Sequence, residues 1–138
     1  MFGTGRKNEL LGILKNELEK YEILENRKKT DVKRVAGVII SFIKHIIWLV
    51  EAYYARDFKK SNNGKVFQRD AGKLDRHISS IIHIGRGCKL NTVKIDNFWK
   101  GNNIGRIDAK KMSEDDVVNF VNKMRRLLGY LYRELRKI

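Results

Sequence analysis

Residues 56–83 read RDFKKSNNGKVFQRDAGKLDRHISSIIH, and this stretch sets the fold class. Lys59-Lys60-Ser61-Asn62-Asn63-Gly64 is polar throughout, and Asn63-Gly64 tolerates left-handed backbone angles, so the chain reverses there. Beyond the turn, Phe67, Ala71, Leu74, Ile78 and Ile81 recur at spacings of four and three, the periodicity of one buried helix face. Lys65, Arg69, Lys73 and Arg76 recur on the opposite side, a row of cations roughly 16 Å long over three turns. The expectation is a helix over about 65–84 with an apolar face and a basic rail.

Similar patterns flank it. Leu10, Leu11, Ile13, Leu14, Leu18, Tyr21 and Leu24 predict a first helix over about 7–26. Arg27-Lys28-Lys29 makes a basic turn, and Thr30 or Asp31 can cap a second helix over about 31–56. That helix is apolar well beyond one stripe: Val38, Ile40, Trp48 and Leu49 spill around its sides. A bundle helix needs a single stripe, so the surplus points to a second burial surface. Ile40, Trp48, Leu49 and Tyr53 are the candidate contacts with a partner or a second copy.

The third helix is expected to stop at Gly85-Arg86-Gly87, where glycine permits a left-handed cap. Over 85–112 the helical periodicity is lost. Thr92–Ile95 and Asn103–Ile107 read as a short hairpin around Lys100-Gly101-Asn102, or the whole stretch as an irregular loop. Within it, Phe98-Trp99 reads either as a base-stacking pair or as the loop's hydrophobic plug. Ser113 with Asp116 three residues on is a strong helix start. From there Val117, Phe120, Val121, Met124, Leu127, Leu128, Leu131 and Leu135 form the inward stripe of a fourth helix over about 113–136. No proline interrupts any of this. The expected fold is all-α: one domain, 1–138, an antiparallel up-down four-helix bundle with a long loop or short hairpin between helices 3 and 4.

The 138 residues carry 30 Lys and Arg against 16 Asp and Glu, net +14. Residues 27–111 alone hold net +13, so the field belongs to the joins and the third helix. A merely soluble surface interleaves both signs, and a one-sided surplus points to a polyanion, nucleic acid before anionic lipid. The candidate nucleic-acid-binding residues are Lys59, Lys60, Lys65, Arg69, Lys73, Arg76, Arg86, Lys89, Lys123 and Arg126. A single cysteine, Cys88, excludes an internal disulfide framework and fits a reducing compartment. Met1–Lys7 leads into no apolar run, and Val35–Val50 is broken by Ser41, Lys44 and His45 and short for a bilayer. A cytoplasmic protein without a membrane partner is expected.

Catalytic and metal constellations are weak. No Ser-His-Asp or paired-carboxylate arrangement stands out, and His45, His77, His83 and Cys88 lack zinc-finger spacing, so neither a metal nor a cofactor is expected. Arg76 and His83, with six residues between them, match the loose arginine–histidine spacing of helical HEPN ribonucleases, with His83 near the apolar side. A nucleic-acid-coating protein is a further alternative, separable by open filaments rather than closed rings.

The run Lys60-Ser61-Asn62, a spacer, then Asp70-Ala71-Gly72 and Leu74 resembles the accessory variability determinant (Avd) family of diversity-generating retroelements. Met112-Ser113 through Val117, Leu127-Leu128-Gly129 and Tyr132-Arg133 are similar to that family's last helix, and the second helix is similar too. The resemblance runs from about Thr30 to the C-terminus except Leu90–Lys110. Four-helix proteins encoded in intervening sequences of ribosomal RNA genes share the fold. The resemblance implies a homopentameric barrel without catalytic activity. It also implies partners: the element's reverse transcriptase and its template RNA, with DNA or an RNA/DNA hybrid as a further nucleic-acid partner, in support of mutagenic cDNA synthesis (mutagenic retrohoming).

Overall fold

The computed structural model describes residues 4–28, 31–55, 68–102 and 111–138. Among them the regular structure is entirely helical: α1 (Thr4–Arg27), α2 (Asp31–Tyr54), α3 (Leu74–Gly85), α4 (Thr92–Gly101) and α5 (Glu114–Arg136). Residues 68–72 are also helical and lead into α3 through a turn at Lys73. α1 packs on α2 and on α5, α2 on α3, and α3 on α4.

The long helices form for the reasons their sequences suggest. Every residue of the inward stripe from Val117 to Leu135 is buried. Ser113 Oγ accepts from the Asp116 backbone N–H at 3.2 Å, and Asp116 Oδ2 accepts from the Ser113 N–H at 2.9 Å. This reciprocal box satisfies donors that have no partner inside the helix. It also holds the Asp116 carboxyl below its ordinary pKa, through its hydrogen bonds to Ser113. Two tyrosines tie the helices together at their polar ends. The buried Tyr21 hydroxyl on α1 donates to the Leu128 carbonyl on α5, and the Tyr54 hydroxyl on α2 donates to Glu114 Oε2 at 2.7 Å.

α2 is the central helix, and this corrects the expected contact surface. Ile40, Leu49 and Tyr53 are 8%, 1% and 1% exposed, buried within their own chain and unavailable to a partner. The apolar surplus exists because α2 is covered by α1 on one side and α3 on another. Only Trp48 of the four stays at the surface, 44% exposed. The length estimate is corrected too: α2 is long and apolar enough to cross a membrane by length and composition, with half of that stretch buried inside the protein.

The larger correction is at 85–112. Thr92–Ile95, read as a strand, begins α4 instead; residues 103–110 lie outside the described residues. Asn91 Oδ1 accepts from the Lys94 N–H at 3.1 Å and starts the helix, and Asn102 Nδ2 donates to the Phe98 carbonyl at 2.8 Å near its end. Ile95 and Trp99, one turn apart, are its buried residues. The Trp99 indole donates to Asp75 Oδ1 at 2.5 Å and its ring meets Phe42 edge-on, so Trp99 fastens α4 to α3 and α2. The plug reading of Trp99 holds, and Phe98 is half-buried beside it. α3 ends without a left-handed glycine: Arg86–Cys88 forms a 3-10 turn, and the left-handed residue is Lys89 (φ 65°). Gly85 serves packing instead, because a Cβ there would lie 3.0 Å from Leu90 Cδ1.

Candidate nucleic-acid interface

Two basic surfaces can be built from the described residues. On α5, Asn119, Asn122, Arg126, Gly129 and Arg133 recur at spacings of three and four, away from the buried stripe. With Lys123 and Arg125, and with Glu17 and Lys20 of α1, they line an open groove of about 850 Å³. The predicted Lys123 and Arg126 therefore come together. Lys20, Arg125 and Arg133 join them and were missed, since Lys20 lies on a helix a hundred residues away in sequence.

The groove holds five cations and one carboxylate. Glu17 is 5% exposed; its Oε1 accepts from Lys20 Nζ at 3.2 Å, and its Oε2 has no hydrogen-bond partner among the described residues. Among those residues no carboxylate pairs with Lys123, Arg125, Arg126 or Arg133. Cations of one sign gathered along a groove with a low-dielectric wall focus their field outward and raise the local concentration of anions. The arginines can also grip a phosphate with two parallel N–H bonds.

The rail on α3 is weaker than its sequence suggests. Lys59, Lys60 and Lys65 lie outside the described residues. Arg69, 68% exposed, sits 3.9 Å from Asp70 Oδ1, and Lys73 Nζ sits 3.1 Å from the same atom. One carboxylate thus serves two rail cations, which weakens the positive field expected of the third helix. Arg76 is exposed and unpaired among the described residues. Asp70 is itself buried, and the two cations reach it from the solvent side. With Asp75 counted, the three described rail cations face two acids.

The break at Lys73 has a local cause. The Lys73 N–H bonds the Asp70 carbonyl at 3.1 Å and the Arg76 N–H bonds the Lys73 carbonyl at 3.0 Å, both closing tighter than α-helical turns. Gly72 weakens the helix there, and His45 Nε2 reaches the Asp70 carbonyl at 2.8 Å. A carbonyl only accepts, so Nε2 carries the proton. The His45 and His77 rings lie 5.2 Å apart. Burial, and secondarily His45, holds the His77 pKa below its ordinary value.

Arg86 and Lys89 are exposed at the far end of α3. Arg86 shares a cleft of about 510 Å³ with Ser79, His83, Thr92 and Asp96, and Arg76 does not line it. His83 is exposed rather than near the apolar side. No group of three or more metal-ligating side chains occurs among the described residues. Cys88 is buried, and burial, followed by Asp31, raises its thiol pKa. No family model, curated protein or solved structure matches the chain.

Proposed function

We propose that the protein is a non-catalytic nucleic-acid-binding accessory subunit that holds template RNA by its phosphates beside a reverse transcriptase. The observation that carries the binding part is the α1–α5 groove, where Lys20, Lys123, Arg125, Arg126 and Arg133 face the single carboxylate of Glu17. Such a site binds by charge and counterion release, without reading sequence. Net charge of +14 supplies attraction at long range.

The polymerase partner and the pentamer rest on the resemblance of Lys60-Ser61-Asn62, Asp70-Ala71-Gly72 and Leu127-Leu128-Gly129 to the accessory variability determinant family, and the cytoplasmic setting on the single cysteine, Cys88. The finer architecture in this proposal is an antiparallel four-helix bundle of α1, α2, the 68–85 segment and α5, with α4 laid outside. The packing of α1 on α2 and α5, and of α2 on α3, supports it. Repetition of a weak groove around a ring would convert it into firm retention.

Fluorescence anisotropy with a labelled single-stranded RNA in 0.15 M salt tests the binding part. Saturable binding that steepens as salt is lowered is expected, and none at micromolar protein would refute it. Native mass spectrometry tests the ring, with an expected mass near five times 16.2 kDa. Co-purification with a reverse transcriptase encoded beside it tests the partner.

A further inference from the structure

We infer that Trp48 is a stacking platform for an unpaired base, so that the protein prefers single-stranded RNA to duplex. The inference rests on the nucleic-acid-binding reading above and deepens it. Trp48 is one of two tryptophans, and their situations are opposite. Trp99 is 7% exposed and its indole N–H is bonded to Asp75, whereas Trp48 is 44% exposed on the solvent side of α2. Tryptophan is costly to leave in water, and this ring stays exposed.

Its surroundings fit a nucleotide. The His45 ring lies 6.4 Å from the Trp48 ring, tilted by 58°. Through its 2.8 Å bond to the Asp70 carbonyl, His45 fixes the Trp48 side of α2 against the segment carrying Arg69 and Lys73. Those two cations are 68% and 44% exposed, and both are within 4 Å of Asp70 Oδ1. Lys44, exposed, sits one turn before Trp48 on the same face, and Glu51 is the acid one turn after it. An exposed aromatic ring with a cation one turn away is an arrangement suited to a single strand: the ring takes a base face, which every base has, and the cation takes a neighbouring phosphate. A duplex keeps its bases stacked inside and offers the ring nothing.

A partner protein or a second copy would need more apolar surface than one indole among charged neighbours. With Ile40, Leu49 and Tyr53 buried inside the chain, the area around Trp48 lacks it.

The test uses the full chain, a labelled 12-mer of oligouridine and a blunt RNA duplex of equal length. Oligouridine should quench the tryptophan emission and duplex should not. Trp48→Ala should weaken oligouridine binding roughly 5- to 150-fold, the range of one lost base stack, and leave duplex binding within twofold. Trp48→Phe should keep most of the oligouridine affinity and lose the quench. Unchanged oligouridine affinity in Trp48→Ala, while anisotropy still reports binding, overturns the platform and spares the groove. A fall in native mass in Trp48→Ala puts a second copy on that face and also overturns it. Failure of the unmodified protein to bind either RNA refutes the parent reading instead.

Discussion

Replacing Lys123, Arg126 and Arg133 together by Gln removes three of the five groove cations and leaves Glu17 with its partner Lys20. For single strands each neutralised phosphate contributes about 0.7 to the slope of log K against log salt. Three lost contacts should therefore make that slope shallower by about 2 and lower the affinity roughly 100-fold at 0.1 M salt. Arg126 and Arg133 are exposed and Lys123 half-buried, so the fold should survive: surface substitutions usually stay within about 0.5 kcal/mol each. The assay is anisotropy of a labelled single-stranded RNA at four salt concentrations, with far-UV circular dichroism and a melt as controls. The parallel variant, Arg69, Lys73 and Arg76 to Gln, should flatten the slope by less than 1, since Asp70 already offsets two of those cations. Slopes for the groove variant parallel to those of the unmodified protein would refute the reasoning. So would a larger change from the rail variant.

Three further outcomes follow from the packing. Ser113→Ala removes the side-chain half of the α5 capping box and should cost about 1 kcal/mol in a denaturant melt. Leu49→Ala should cost about 2–5 kcal/mol because that side chain is core, and Trp48→Ala should leave the melting midpoint nearly unchanged; equal costs would contradict the placement of α2. His77 titrates below its ordinary range in the folded protein, so the unfolded chain binds its proton first. Stability should be full above about pH 6.5 and fall as pH drops below it. In His77→Phe that acid loss should shrink, as read from melting temperature against pH.

Much of the fold was legible because its signals are periodic and local. Val117 through Leu135 showed one face at constant spacing, and Ser113 with Asp116 fixed where the helix starts. Leu74, Ile78 and Ile81 were equally plain. α4 was hidden because it carries only two buried residues, Ile95 and Trp99, and opens on β-branched Thr92 and Val93 that read as strand. Asn91 three residues before Lys94 was the signal that announced it. The surplus on α2 was visible, but whether a helix is covered by its own chain or by another is a tertiary fact. Ile40, Leu49 and Tyr53 turned out to be covered from within. The site was half legible: Lys123 and Arg126 stood out as outward cations, yet their grouping with Lys20 depends on α1 lying beside α5. The pairing of Asp70 with Lys73 was available from the i, i+3 spacing alone, whereas that with the adjacent Arg69 was not.

Crosslinking of the unmodified protein to single-stranded RNA by ultraviolet light, with the adducts located by mass spectrometry, tests most directly whether this surface holds a phosphate backbone. Adducts should fall on Lys20, on residues 119–133 and on Trp48. Adducts confined to the α3–α4 cleft around His83 and Arg86, or none at all, would contradict it.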